Sequence, residues 1–240
     1  MLRQYSGAAA KRKVDMRAPL SIVIPTLNAG DVLPDTLASL MEGVEAGLIR
    51  ELIVSDGGSH DATVAIADAA GAVVVQGVAG RGRQLGLGAD NASGDWMLFV
   101  HADTHLSPGW SVLVQSKLGD PQTAGYFRLK FRAGGLLPRL FEIGANFRSK
   151  LGLPYGDQGL LISRALYDEI GGYPAIPLME DVVIARALRA KLRALPSAAL
   201  TSADRYQRRG WIKQGSENIW RLALFRWGVD PAKLAQRYRD

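Results

Sequence analysis

Apolar positions along the chain gather into short, nearly continuous runs separated by amphipathic stretches. Residues 20–25 read as a buried strand, 51–55 as a second, 72–76 as a third and 96–100 as a fourth. Continuous apolarity is what a strand covered on both faces needs. Between the first two, Val32, Leu33, Leu37, Leu40, Met41 and Val44 recur on one helical face, with Asp31 as the expected N-cap and Pro34 in the first turn. Ser59 or Asp61 is placed to cap a helix running to Ala70, where Gly71 stops it. A short Gly-rich helix follows the third strand. The alternation predicts a mostly parallel sheet with helices on both faces.

The second half is less regular. Residues 123–131 read as an antiparallel strand and 158–163 as another, while 134–153 mix aromatic, basic, Gly and Pro residues. Residues 179–191 form a convincing helical pattern, and 211–227 another, with Trp and Arg interleaved. Packing against the domain is the expected role for at least two of Trp211, Trp220 and Trp227.

Size and composition narrow the choices. A chain of 240 residues, 48% hydrophobic, suits one large α/β domain or two small ones with a substantial core. The absence of cysteine excludes disulfides and thiolate metal sites and points to a reducing, cytoplasmic setting. No apolar run reaches the ~18 residues of a membrane span. The net charge of +6 is uneven. Residues 1–20 carry five Lys/Arg against one acid, residues 201–240 nine against four, and the middle is left at −3. A nucleic-acid binder would spread its basic charge over the working face, so that class is disfavoured. The basic ends serve either solubility or contact with anionic lipid or phosphate, which leaves peripheral membrane contact through the C-terminal segment open.

Ligands of open parallel sheets bind beyond the carboxyl ends of the strands. Three such ends carry polar groups here: Pro25-Thr26-Leu27-Asn28, Asp56-Gly57-Gly58-Ser59 and His101-Ala102-Asp103. Asp103 can hold a hard divalent cation or cap a turn before Ser107-Pro108. Asp56 can accept from a base or ribose, or close a tight turn. Gly80-Arg81-Gly82-Arg83-Gln84-Leu85-Gly86 suits a diphosphate, yet its G-x-G-x-x-x-G spacing after the third strand is not the dinucleotide fingerprint. Glu180-Asp181 opens a helix, where acids are favoured by the dipole and where a general base could be aimed into a cleft. His101 either meets a ligand or is satisfied at the strand end. His60 and His105 receive no role, and no G-x-S-x-G elbow or Walker loop is present.

Taken in order, Pro25-Thr26-x-Asn28, Val54-Ser55-Asp56-Gly57-Gly58-Ser59-x-Asp61-x-Thr63, His101-Ala102-Asp103 and Glu180-Asp181 resemble the family 2 glycosyltransferases of the GT-A fold over roughly residues 19–195. Gly80-Arg81-Gly82-x-Gln84, "HADT" and "PLMEDV" are similar to a bacterial subgroup labelled for arsenosugar biosynthesis, a label that names no substrate. The resemblance implies a Rossmann-like sheet plus a small antiparallel and helical acceptor portion. It divides the chain into a lead-in (1–18), a nucleotide-binding half (19–104), an acceptor half (105–200) and a basic helical C-terminal segment (201–240) packed on the domain. It implies transfer from a nucleotide-diphosphate sugar, most simply a UDP-sugar, to a hydroxyl of a small-molecule, glycan or lipid-linked acceptor. Pro25, Thr26, Asn28 and Asp56 would line the nucleotide pocket. Arg81, Ala102 and Asp103 would lie at the diphosphate, with Asp103 binding Mg²⁺ or Mn²⁺. Asp181 would be the base of an inverting displacement. His101, Tyr155, Gly156, Asp157, Gln158 and Glu180 would shape the donor-sugar and acceptor side.

Two departures matter. His101 stands where the family's D-x-D has its first Asp, which removes a carboxylate from the metal site. Gln207-Arg208-Arg209-Gly210-Trp211 is a broken Q-x-x-R-W, which with the missing membrane spans speaks against a processive synthase. Two rivals stay open: a nucleotidyltransferase of similar fold, disfavoured by Thr26-Leu27-Asn28-Ala29-Gly30 after the first strand, and a non-catalytic nucleotide-sugar-binding protein.

Overall fold

A computed structural model describes residues 18–239; the expected lead-in, save its last residue, lies outside them. In chain order the elements are β1 (Leu20–Thr26), α1 (Leu33–Glu45), β2 (Ile49–Asp56), α2 (Thr63–Ala69), β3 (Val73–Gln76), α3 (Arg81–Asp90) and β4 (Trp96–Phe99). There follow β5 (Thr104–Leu106), α4 (Trp110–Lys117), β6 (Ala124–Phe131), α5 (Leu136–Lys150), β7 (Leu160–Ser163), α6 (Arg164–Glu169) and α7 (Glu180–Leu188). The chain ends with β8 (Leu192–Thr201), α8 (Asp204–Arg209), α9 (Trp211–Arg226) and α10 (Pro231–Arg239).

The strands form one eight-stranded sheet in the order β3-β2-β1-β4-β7-β6-β8-β5. β3, β2, β1 and β4 are mutually parallel. β7 runs antiparallel to both β4 and β6. β6, expected as an antiparallel strand, is antiparallel to β7 but parallel to β8.

The nearly continuous apolar runs are explained by burial on both faces. Leu20, Ile22 and Ile24 of β1 and Trp96 and Leu98 of β4 pack with α1, α2 and α4. Val23, Met97 and Phe99 pack with α3, α6 and α7 on the other side. Mostly parallel strands between two helical layers give the α/β architecture expected from the sequence.

Local details differ from the pattern. On α1, Met41 and Val44 are half exposed, while Thr36 and Gly43 are buried instead. Gly43 is where the Trp110 ring lies, and a Cβ there would sit 2.5 Å from it. Thr36 turns inward because its hydroxyl donates to the Ala102 carbonyl at 2.6 Å. Asp31 is not the cap of α1; that position is Val32. Neither Ser59 nor Asp61 is the N-cap of α2, which is Ala62. Asp61 accepts from the N–H of Thr63 and of Gly30, tying two loops together. Residues 134–153 hold the long helix α5, 158–159 precede β7 rather than joining it, and α7 is shorter than 179–191. Of the three C-terminal tryptophans only Trp211 enters a cluster, with Phe131, Phe141 and Tyr206. Trp220 and Trp227 stack edge to face on each other at 5.9 Å while 55% and 73% exposed. Leu234 of α10 packs on Met179, which caps α7, and on Val182 within it.

Candidate active site

β1 and β2 end in register, so Thr26 pairs directly with Asp56 across the sheet. The Thr26 hydroxyl donates to Asp56 Oδ1 at 2.9 Å, and Ser59 Oγ donates to the same oxygen at 2.5 Å. Oδ2 accepts from the N–H of Gly58 at 2.9 Å and of Ser59 at 2.8 Å. All four lone-pair positions of the carboxylate are thereby used within the protein. Burial works against the charge, but the hydrogen bonds from Ser59, Thr26 and Gly58 prevail and hold Asp56 below its ordinary value. The loop after β1 is locked to this turn. Asn28, at φ +50°, donates its N–H to Ser59 Oγ and accepts from the N–H of His60, and the N–H of Ala29 donates to Thr63 Oγ1.

The Gly-Arg-Gly stretch is the first turn of α3, not an open loop. A Cβ on Gly82 would lie 2.2 Å from the Pro174 carbonyl oxygen, so this glycine serves close packing against the turn before α7. Gln84 is buried and bridges both strand ends, donating to the carbonyls of Thr26 at 2.6 Å and Ser55 at 3.0 Å. Arg81 projects from the same turn with its Nη1 3.6 Å from Glu180 Oε1. Desolvation opposes its charge, but the fields of Glu180, Asp181, Asp103 and Asp157 raise its pKa.

The end of β4 turns sharply, with the Thr104 N–H donating to the His101 carbonyl. Arg132 holds the turn from outside, donating to the Asp103 carbonyl and contacting the His105 ring. Desolvation, and then Arg81, push the His101 imidazole well below 6.5, so it is neutral. Its Nε2 is buried without a hydrogen-bond partner among the described residues. It lies against Gly156, where a Cβ would approach to 2.6 Å.

Gly156, Asp157 and Gln158 form a single 3₁₀ turn before β7. Gln158 is fully buried and braces the fold. Its oxygen accepts from Ser149 Oγ and the Tyr155 N–H, and its nitrogen donates to the Phe127 carbonyl. Tyr155 lies under the Arg148 guanidinium, 3.3 Å from the ring centre. Burial foremost, with Asp181 and Asp103 nearby, outweighs Arg148 and Arg81 and pushes Asp157 up to about 6.

α7 delivers two acids through a strained entry, Met179 at φ +70°. Asp181 accepts from the Gly156 N–H at 3.1 Å and from the Val182 N–H at 2.7 Å. Glu180 is 1% exposed, and neither of its oxygens has a hydrogen-bond partner among the described residues. Burial first, then Asp181, outweigh Arg81 and raise Glu180 to about 7.

The structure thus brings Arg81, Asp157, Glu180 and Asp181 together, with Asp103 close enough to act on Arg81 and Asp157, and His101 against Gly156. Pro25, Thr26, Asn28 and Asp56 form a separate wall on the adjoining sheet edge. Sequence reasoning missed three participants. The phenol of Tyr173 is held well above 10 by burial and by Asp181 and Glu180. Arg148 stacks on Tyr155, and Arg205 on α8 lies within the field of Arg81 and Asp103. Tyr173 and Arg205 fall outside any recognisable motif, and Arg148 sits in the stretch whose helix the pattern concealed.

The mixed sheet, with helices on both faces and polar groups at its strand ends, has the GT-A glycosyltransferase fold. The chain matches the Glycosyl transferase family 2 model over residues 21–158, more than half its length, and belongs to that family. Solved structures agree on the fold. S. aureus TarS 1–349 superposes with a TM-score of 0.62 at 18% identity, covering 79% of this chain and 62% of that one. The same fragment in complex with UDP-GlcNAc gives 0.61 at 17% identity, over 77% of this chain and 58% of that one. Glucosyl-3-phosphoglycerate synthase from Mycobacterium tuberculosis, in complex with Mn²⁺, UDP and phosphoglyceric acid, gives 0.54 at 24% identity, over 77% of this chain and 70% of that one. The chain spans less than two thirds of the TarS fragment.

Proposed function

We propose that the protein transfers a sugar from a nucleotide-diphosphate donor, a UDP-sugar, to an acceptor hydroxyl by direct displacement with inversion at the anomeric carbon. The observation that carries this reading is the pairing of Asp181, oriented by the Gly156 and Val182 N–H groups, with Arg81 and Asp103 in one charged cluster. A leaving diphosphate gains negative charge as the glycosidic bond breaks, and the acceptor must lose a proton. Arg81 is the fixed cation for the first task. Asp181 is the base for the second and takes the proton from the acceptor hydroxyl. The Thr26–Asn28 and Asp56 wall receives the nucleotide, with Asp56 fixing its shape.

Solved relatives of this fold carry Mn²⁺ with UDP. Among the described residues no three His, Cys, Asp or Glu side chains converge as a preformed metal cage. The donor chemistry fits a hard cation that is completed by diphosphate oxygens and water, which Mg²⁺ and Mn²⁺ favour. Burial, and after it the neighbouring carboxylates, raise Asp157 and Glu180, and such a crowd of acids also fits added positive charge. Asp103 would hold such an ion, which would neutralise charge on the leaving group. His101, neutral and packed on Gly156, would position the turn rather than supply the missing carboxylate.

Calorimetric titration with UDP and GDP, with and without Mn²⁺, on wild type and Asp103→Ala tests this. The expected result is metal-dependent binding of UDP that the substitution abolishes. Metal-independent binding kept by Asp103→Ala would move the diphosphate role to Arg81 alone. No binding of either nucleotide would overturn the nucleotide-sugar reading.

A further inference from the structure

Helix α5 has two apolar faces. Phe141 and Ala145 point into the cluster with Trp211. On the opposite side Leu136, Leu140, Ile143, Phe147 and Leu151, at helical spacing, are 53–73% exposed. Neighbouring α9 and its C-cap present Ile212, Ile219, Trp220 and Trp227, all more than half exposed. α5 and α9 touch where Phe141 lies over Gly215, a Cβ there falling 2.2 Å from the ring. Ten of the sixteen exposed large hydrophobic side chains among the described residues belong to these two helices and their ends, a concentration of exposed apolar area in this part of the molecule.

The charges on the same helices decide the occupant. Arg139, Lys150, Lys213 and Arg226 are exposed. The acids are Glu142, which accepts from the Phe131 N–H, and Glu217, which is paired with Arg221 and Arg209. Neither acid is exposed. A second copy docking by two-fold symmetry would set these cations against themselves with no acid to meet them. An anionic bilayer complements both the apolar stripe and the cations, and exposed Trp suits the headgroup level. A groove of about 320 Å³ beside Trp220 is walled by Arg209, Lys213 and Arg221 with Glu217, which pairs with both arginines, so its lining keeps a net positive charge.

We propose that the outer faces of α5 and α9 dock the protein peripherally on an anionic phospholipid surface. The basic C-terminal segment flagged by the sequence is half of this surface; α5 is the other half. Among the described residues no helix is long and apolar enough to cross a membrane, so the contact lies in the interface. α5 is also tied to the cleft, through Ser149 to Gln158 and Arg148 to Tyr155, so docking would hold that side of the cleft near the lipid. The inference does not depend on the chemistry proposed above.

The test is co-sedimentation of the full chain with vesicles of phosphatidylcholine alone and of phosphatidylcholine with phosphatidylglycerol. Its variants are Ile143→Glu with Phe147→Glu and, separately, Trp220→Ser with Trp227→Ser. All four positions are exposed, and thermal melting and UDP titration report fold and nucleotide site independently. Wild type should bind the anionic vesicles selectively and lose affinity with added salt. Each double variant should bind at least ~10-fold more weakly, given the apolar surface withdrawn. Wild-type protein that binds neither vesicle, or both equally, overturns the proposal. So do variants that bind as well as wild type, or a wild-type dimer that the variants dissolve without any vesicle binding.

Discussion

Asp56 and Glu180 are both buried carboxylates, yet their surroundings are opposite. Asp56 receives four hydrogen bonds from Thr26, Gly58 and Ser59, and its pKa is depressed. Glu180 receives none from the described residues, shares its neighbourhood with Asp181, and is raised to about 7. The pattern extends to the neighbours. At the β1–β2 edge the loop polar groups interlock. Around α7 more of the buried side-chain atoms lack a hydrogen-bond partner among the described residues: His101 Nε2, an oxygen of Asp157 and both oxygens of Glu180, one of them 3.6 Å from Arg81 Nη1, against Ser55 Oγ at the β1–β2 edge. Buried polar groups without partners are costly, and they are tolerated where something else completes them. The first edge is nearly a finished wall; in the proposed reaction a substrate or cation would complete the second, charged cluster.

The largest effect that breaks the comparison should come from the finished wall. Asp56→Ala leaves the Thr26 and Ser59 hydroxyls and two backbone N–H groups without their acceptor at a partly buried turn. Stability should fall by about 3 kcal/mol. A lower urea midpoint at unchanged slope is the readout. A loss well under 1 kcal/mol would mean that water replaces the carboxylate, and the wall would not be preorganised.

The next effect belongs to the charged cluster and should appear in turnover rather than stability. Asp181→Asn keeps an oxygen to accept from Gly156 but removes the proposed base, so nucleotide release from donor plus acceptor should drop at least ~100-fold. UDP affinity should be unchanged. Normal turnover would remove Asp181 from the chemistry and favour a different base or a non-catalytic role.

The strand ends that carry the wall were legible in the sequence, the locking of Asp56 by Thr26 and Ser59 was not, and the charged cluster was only partly so. Short apolar runs ending in Thr26, Asp56 and Asp103 announce parallel strands because both faces are buried, and strand ends sit where ligands bind. The acids of α7 were visible as a pair, and the resemblance set Arg81, Asp103 and Asp157 beside them, but not the rest of their company. Tyr173 and Arg205 come from segments without periodic pattern, and only the fold brings them near Asp181 and Asp103. α5 was concealed for a physical reason. Phe141 and Ala145 face inward while Leu140, Ile143 and Phe147 face out, so the helical period of apolar residues disappears. The same feature misled the reading of Trp220 and Trp227, since large apolar side chains are expected inside unless something other than the core covers them.

The smallest effect, and the sharpest for the comparison, is the pH dependence of stability. Asp56 has a folded pKa below its ordinary 3.8, so on acidification the unfolded chain takes up this proton first. Its contribution to stability is present above about 3.8 and is lost as the pH falls through the depressed value. Glu180 behaves in the opposite sense. Between its ordinary 4.5 and about 7 the folded protein keeps a proton that the unfolded chain has released. Stability therefore declines as the pH rises across that window. Urea denaturation across both windows should show a maximum between the two limbs. Glu180→Gln should flatten the neutral limb and leave the acid limb unchanged, while Asp56→Asn should do the reverse. If Glu180→Gln leaves the neutral limb in place up to about 6 only, the proton belongs to Asp157, whose pKa is raised to that value, and Asp157→Asn should then flatten it. Either result keeps the extra proton on the α7 side of the cleft. A neutral limb that survives both substitutions would remove the contrast between the two edges.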